Sequence, residues 1–190
     1  MPRLLARRGP FHWVRPAFPK AAAVRAALLA APLLALGCSQ DIRYAPSCPQ
    51  MAILSDGADL IRFNGPGRDL TDRVLEARIQ RVDGTCEPGR GNTVVAHIKV
   101  WFDISRGPAS KTRNAQVPYF IAVTRGEQVI DHRPYTVNAA FGANVDIARV
   151  GGTDIDLTFP ARQGQGAEAY KIYVSLQLTE EELQHIRNSR

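Results

Sequence analysis

Three histidines are the candidate bases of this sequence after residue 37. They are His97, His132 and His185, and no two of them are close in the chain. Nucleophilic catalysis requires a Ser, Cys or Thr beside such a base, but the sequence contains neither a Gly-x-Ser-x-Gly nor a Ser-x-x-Lys motif. Zinc-binding His-x-His and His-x-x-x-His pairs are also missing. We therefore expect no catalytic residues, no metal site and no cofactor.

Four aspartates lie in a loop-rich stretch as two Asp-x-x-Asp pairs beside glycines. They are Asp56 with Asp59 and Asp69 with Asp72. Oxygen-rich loops can hold calcium, but the alternating pattern of an EF-hand loop, with its twelfth-position Glu, is missing. We expect turn and capping roles, with Asp69 capping a helical turn over 70–75. A calcium site and a general acid/base pair are the alternatives.

Two aromatic residues and one basic loop are the candidate ligand contacts. Trp101 and Tyr173 could stack against a glycan or another small ligand. The loop over 106–116 contains no acid, which is typical of a solvated loop but also suits contact with an anionic partner. Its three basic residues are Arg106, Lys111 and Arg113.

Period-two alternation predicts the elements that carry these residues. Every even position from Val94 to Ile104 is apolar, while His97, Lys99 and Asp103 fall on the other face. The segment from Tyr170 to Leu178 repeats this pattern, so each segment predicts a half-buried strand. Weaker strands are predicted over 50–54, 59–63, 74–82, 118–124, 128–137, 145–150 and 153–159.

Turn residues separate the predicted strands. Gly and Asp mark turns at 56–57, 83–84 and 151–152, and residues 118–137 predict a β-hairpin with its turn at 125–127. Because short strands follow one another without amphipathic helices, the sequence predicts an all-β fold, an antiparallel, immunoglobulin-like β-sandwich.

One short helix is predicted at the end of the chain. Thr179 and Glu182 form a capping box, in which each side chain satisfies a free backbone N–H of the first turn. We expect a helix over 179–188 that closes a single domain over 48–190. A helix of about ten residues is marginal alone, so it should dock on the sandwich or fray.

Positive charge is concentrated in the N-terminal segment. The chain has 24 Lys and Arg against 18 Asp and Glu, but residues 1–37 hold six of the basic residues and no acid. The remainder is formally neutral, with 24 minus 6, or 18, basic residues against the same 18 acids. Nucleic-acid binding depends on a clustered excess of Lys and Arg, so we expect no nucleic-acid partner.

The same segment has the layout of a secretory signal peptide. A basic stretch ending at Arg25 is followed by twelve uncharged residues over 26–37 and then by Cys38. A transmembrane helix needs roughly 20 apolar residues, so this run is short for one. We predict that residues 1–37 are a signal peptide.

The residues around Cys38 resemble the lipobox of bacterial lipoproteins. The sequence reads Leu34-Ala35-Leu36-Gly37-Cys38, with Ala35 at the place where most lipoboxes have Leu. The resemblance implies that Cys38 becomes a lipidated N-terminus that anchors the protein to a membrane. It implies a flexible tether over 38–47, and Ser39 favours the periplasmic side of a Gram-negative outer membrane. The alternative is a soluble periplasmic protein cleaved near Gly37.

Lipidation of Cys38 would leave two other cysteines, Cys48 and Cys86. Exported proteins oxidise such a pair, so we expect a Cys48–Cys86 disulfide that stabilises the fold by roughly 3 to 4 kcal/mol. Two free thiols are the first alternative. A metal site is the weaker one, since the pair lacks Cys-x-x-Cys spacing.

Several segments of the chain also resemble a group of uncharacterised bacterial envelope lipoproteins with no assigned activity. The segments are Cys48 with 52–60, 67–72, 117–120 and 170–179. This resemblance implies an envelope location and the same fold, and it implies no catalytic residue. We expect a non-enzymatic, lipid-anchored periplasmic protein, an accessory or adaptor to an envelope protein partner. The alternative function is a binding module for a glycan or small ligand.

Overall fold

The computed structural model describes residues 46–161 and 166–189, which form a β-sandwich and one short helix. The predicted signal peptide and Cys38 lie outside the described residues, as does the tether up to residue 45. The strands and the helix are β1 (Gln50–Ile53), β2 (Asp59–Phe63), β3 (Arg73–Pro88), β4 (Thr93–Arg106), β5 (Asn114–Arg125), β6 (Gln128–Ala140), β7 (Ile147–Gly151), β8 (Ile155–Pro160), β9 (Tyr170–Leu176) and α1 (Glu180–Asn188).

Two sheets pack against each other, which confirms the predicted all-β sandwich. The four-stranded sheet has the order β1-β9-β5-β6. The five-stranded sheet has the order β2-β3-β4-β7, and β8 also pairs with β4. All pairs are antiparallel except β1 with β9. That parallel pair joins distant parts of the chain, so no tight turn has to connect its strands.

The core between the sheets follows the alternation read from the sequence. The even-numbered residues of β4, from Val94 to Ile104, are at most 2% exposed. Tyr170, Ile172 and Val174 of β9 lie in the same core cluster. The two strands predicted from the clearest alternation therefore have the predicted faces.

The turn predicted at Asp83-Gly84 is wrong, because both residues lie within β3. The strand continues because its residues pair with β4 as far as Pro88, opposite Val94. Gly84 also has a packing role, since a Cβ there would overlap the Met51 side chain. Pairing with a long neighbouring strand thus overrides the local turn signal.

The helical turn predicted over 70–75 is also too long. A 3-10 turn covers only Leu70–Asp72, and the Asp69 side chain makes no capping hydrogen bond. From Arg73 onward the chain is β3, in which Leu75 is buried and pairs with Arg62 of β2. Burial of Leu75 in the sheet accounts for the early end of the turn.

The predicted disulfide is present between Cys48 and Cys86, with the two Cα atoms 5.6 Å apart. Cys48 comes just before β1, and Cys86 lies near the end of β3, so the bond joins the two sheets at one end of the sandwich. We call this the disulfide end. Ser47 is also held there, because its carbonyl accepts a hydrogen bond from the Ala167 N–H at 2.8 Å. The predicted tether therefore ends before Ser47.

The C-terminal helix docks at the opposite end, which we call the helix end. Its capping box is formed as predicted, with Thr179 and Glu182 bonding each other's backbone N–H. Glu182 also pairs with Arg62 of β2 at 2.9 Å, and the His185 ring meets the Phe63 ring edge-on at 5.2 Å. These contacts fix α1 against β2. No helix among the described residues is long and apolar enough to span a membrane.

Candidate functional site

The two aromatic residues proposed as ligand contacts lie on opposite faces of the molecule. Trp101 is on β4, on the outer face of the five-stranded sheet, since its neighbour Phe102 is in the core. Tyr173 is on β9, on the outer face of the four-stranded sheet, between the core residues Ile172 and Val174. They cannot form one stacking platform.

The Trp101 side chain is engaged by neighbours on its own sheet. The Arg81 guanidinium lies 4.6 Å from the ring centroid, and the Lys99 ammonium lies 5.7 Å from it. The indole Nε1 donates a hydrogen bond to the Asp83 carboxylate at 2.7 Å. A ligand would have to displace the two cations before it could stack on this ring.

The basic residues of the loop after β4 are partly engaged within the chain. Arg106 donates hydrogen bonds to the Asp146 carboxylate at 2.9 and 2.7 Å. Arg113 donates to the Gly142 carbonyl at 2.9 Å, while Lys111 is exposed. The loop sequence contains no acid, but the fold brings Asp146 to it.

The aspartates of the first loops have basic partners. Asp59 pairs with Arg78, and Asp56 pairs with Arg187 of the helix at 2.9 Å. Over residues 46–161 and 166–189, no group of three or more His, Cys, Asp and Glu side chains could hold a metal ion.

The three candidate histidines lie on three different elements, β4, β6 and α1. His97 has the strongest polar contacts, with its Nδ1 atom 2.7 Å from the Asp156 carboxylate and its Nε2 atom 3.4 Å from Glu87. The His132 ring packs on the Phe120 ring, with the centroids 4.7 Å apart. The Asp156 hydrogen bond, with a smaller contribution from Glu87, raises the pKa of His97 above its ordinary value of 6.5.

This ion pair gives a pH-dependent prediction. We expect an NMR titration of the His97 ring to give a midpoint above 6.5, and the Asp156→Asn variant to lower it. Because the folded-state pKa is raised, the contribution of His97 to stability is complete below pH 6.5 and disappears as the pH rises through the folded-state pKa. Asp154→Asn is the matched control, since Asp154 pairs with Lys99 instead. An equal downward shift in both variants would contradict the assigned partner.

His97 belongs to a charged outer face on the five-stranded sheet. Along this face cations and acids from neighbouring strands pair with one another. The pairs are Arg78–Asp59, Lys99–Asp154 at 2.8 Å, His97–Asp156 at 2.7 Å and Arg149–Asp103 at 3.4 Å. Such alternation of signs on an exposed sheet is typical of a solvated surface.

The outer face of the four-stranded sheet has a different composition. Strand register places Ala52, Tyr173, Ala122 and His132 in one row across the four strands. The next row contains Ser175, Phe120 and Pro134, followed by Pro118 and Thr136. We call these nine residues the aromatic face. None of them is Asp, Glu, Lys or Arg, and Lys171 borders the face toward the disulfide end.

The aromatic face has a buried floor and an accessible surface. Ala122 is 8% exposed and Ser175 is 4% exposed. Phe120 and Tyr173 are half-buried, while Ala52, His132, Pro134 and Thr136 are exposed. Small side chains at the floor thus lie among larger uncharged groups that solvent reaches.

The aromatic face continues into a groove of about 380 Å³ beside α1. Its apolar side chains are Leu54, Phe120, Leu178 and Leu183, and the Asp56–Arg187 ion pair lies at its rim. The floor residue Ser175 donates its hydroxyl hydrogen bond to the Leu176 carbonyl at 2.9 Å. The groove therefore suits an apolar group with a polar neighbour at the rim.

Sequence reasoning identified Tyr173 but missed the rest of this face. Residues 117–120 read as a core strand, and only Val117 and Tyr119 point into the core. Pro118 and Phe120 point outward. The signal was available in the alternation of 118–124, but both faces of β5 are largely apolar, so periodicity alone could not tell them apart.

Comparisons with known proteins give no family for this chain. No protein-family model matches it, and no curated protein and no solved structure is significantly similar to it.

Proposed function

We propose that this protein is a non-enzymatic accessory protein of the bacterial envelope that binds an envelope protein through its aromatic face. It is anchored by lipid on Cys38 to the outer membrane, on the periplasmic side. The signal-like layout of residues 1–37 and the resemblance of residues 34–38 to a lipobox support the anchor. The disulfide supports export, because such bonds persist in oxidising compartments.

The observation that carries the binding proposal is the contrast between the two outer faces. The charged face of the five-stranded sheet pairs its cations with its own acids. The aromatic face presents Tyr173, Phe120 and His132 without a Lys, Arg, Asp or Glu among its residues. Cores of protein–protein interfaces are depleted of charged residues and enriched in aromatic ones, and contiguous uncharged patches mark such sites.

The groove beside α1 adds a pocket to this surface. Binding energy at protein interfaces is concentrated where an apolar or aromatic anchor of one partner fills a pocket of the other. With about 380 Å³, the groove can accept one large side chain of the partner. The Asp56–Arg187 ion pair at its rim can orient a polar group beside that anchor.

Photo-cross-linking in intact cells tests this function. A photoreactive amino acid at Tyr173 should form a discrete adduct with an envelope protein, identified by mass spectrometry. The same amino acid at Trp101, on the charged face, should form no such adduct. In the Tyr173-labelled protein, Thr136→Glu should lower the adduct yield about tenfold, because it introduces a charge into an interface core, which costs roughly 1.4 kcal/mol or more.

Thr158→Glu is the matched control, since Thr158 is an exposed Thr on β8, on the other outer face. It should leave the adduct yield unchanged. Equal loss in both variants, or equal adducts from Tyr173 and Trp101, would contradict binding through the aromatic face. A glycan that raises the melting temperature, with no cross-linked protein, would favour the ligand-binding alternative instead.

A further inference from the structure

Two adjacent apolar residues are exposed at the start of β6. Val129 is 59% exposed and Ile130 is 47% exposed. Successive strand residues normally point to opposite faces, but here the pairing skips Ile130, since Thr124 pairs with Val129 and Val123 pairs with Asp131. This bulge interrupts the alternation and leaves both side chains outside the core. We call this pair the hairpin tip.

The hairpin tip lies at the disulfide end. Strand register places Gln50, Lys171, Thr124 and Val129 in one row across the four-stranded sheet. With about 4.7–4.9 Å between neighbouring strands, Val129 lies roughly 14–15 Å from Gln50. Gln50 comes four residues after Pro46, the first described residue. The tip is therefore close to the place where the chain from Cys38 joins the sandwich.

The length of that connecting chain limits how far this end can be from an anchoring membrane. Cys38 and Pro46 are eight residues apart, and eight residues span at most about 29 Å when fully extended. Strand β4 has 14 residues, which corresponds to roughly 46 Å along the sandwich. The disulfide end is thus the end that the anchor holds near the lipid.

We propose that the hairpin tip inserts into the outer part of the bilayer to which Cys38 is anchored. This inference rests on the lipid anchor of the proposed function. Exposed apolar side chains held at a membrane surface are stabilised by entering the boundary between headgroups and acyl chains. The contact gives the domain a second attachment, and it keeps the groove at the helix end away from the bilayer and open to a partner.

Apolar contact, not charge, drives this insertion. The turn next to the tip contains Arg125 and Glu127, and Lys171 and Glu168 lie near the same end, so the two signs balance. Arg125 is also directed over the Tyr170 ring, 5.8 Å from its centroid. Vesicles of zwitterionic phosphatidylcholine should therefore be sufficient for the contact.

Tryptophan fluorescence in the lipidated protein tests the insertion. After residue 37 the chain has a single Trp, Trp101, so Trp101→Phe provides a Trp-free background. In that background, Ile130→Trp reports on the tip. Ile147→Trp is the matched control, because Ile147 is 61% exposed on β7 and pairs with Ser105 toward the helix end. Both proteins are reconstituted into phosphatidylcholine vesicles with and without brominated acyl chains.

The brominated lipid should reduce the emission of the Ile130→Trp protein about twofold or more, as for a group in the headgroup boundary, and should leave the Ile147→Trp protein unchanged. Flotation of the vesicles reports the anchor separately. Protein that floats without quenching at position 130, or with equal quenching at both positions, overturns the insertion alone. Protein that does not float overturns the anchor and the insertion together. Protection of position 130 from aqueous iodide without lipid quenching would assign the tip to a protein partner and overturn the proposal.

Discussion

Replacing both Cys48 and Cys86 by Ser should lower the free energy of unfolding by about 4 kcal/mol. The bond spans 38 residues of sequence, and closing a loop of that length removes this much conformational entropy from the unfolded chain on the chain-entropy estimate. For a domain of this size the melting temperature should fall by roughly 8–16 °C. Urea unfolding of the wild type and the double variant measures the difference.

The wild type treated with reductant is the control for this substitution. It should unfold at the same urea concentration as the double variant, while reductant should not change the double variant at all. The effect should be large because the bond joins the two sheets, linking the segment before β1 to the end of β3. A loss below about 1 kcal/mol would show that the bond does not constrain the unfolded chain as the loop estimate requires.

Phe102→Ala should destabilise the protein by about 3–5 kcal/mol. The Phe102 side chain is 1% exposed, and its ring centroid lies 4.9 Å from that of Tyr119, across the interface between the two sheets. Gly152 closes the same site, since a Cβ there would come within 2.6 Å of the Tyr119 hydroxyl. Truncation of Phe102 therefore leaves a cavity that a close-packed neighbourhood cannot fill.

The neighbouring substitution Trp101→Ala provides the comparison, because Trp101 is on the outer face of the same strand. It removes a larger side chain, but it loses only contacts with Arg81, Lys99 and Asp83 at the surface. We expect a cost of roughly 1 to 2 kcal/mol, as for partly exposed cation–π contacts. If Trp101→Ala proved more destabilising than Phe102→Ala, the assigned faces of β4 would be reversed.

Strands with a clear alternation could be predicted from the sequence because burial alone determines their pattern. In β4 and β9 one face is apolar and the other polar, so Phe102 and Trp101 were assigned to opposite faces correctly. The same holds for the capping box of Thr179 and Glu182, which depends only on residues three apart. Local chemistry and periodicity were sufficient for these elements.

Features that depend on distant strands could not be predicted. Asp83-Gly84 has the composition of a turn, but pairing with β4 keeps it within β3. The parallel pairing of β1 with β9 joins residues more than a hundred positions apart, such as Met51 and Ile172. The aromatic face depends on this same pairing, since four strands must align before Ala52, Tyr173 and His132 form one surface.

Positions of the charged partners were likewise decided by the fold. Asp146 reaches Arg106 through the chain segment before β7, and Asp156 reaches His97 through the pairing of β8 with β4. No spacing rule connects residues 40 or 59 positions apart in sequence. The sequence therefore showed which residues are charged, and only the structure shows that those of the five-stranded sheet pair with one another.

The intact mass of the protein extracted from membranes of its natural host, with and without reductant, tests lipid anchoring and export together. We predict the mass of residues 38–190 plus a diacylglycerol and an N-acyl chain on Cys38, increasing by about 2 Da on reduction as one disulfide opens to two thiols. A species without lipid, or one that retains residues 1–37, would contradict the anchor on which the proposed function depends.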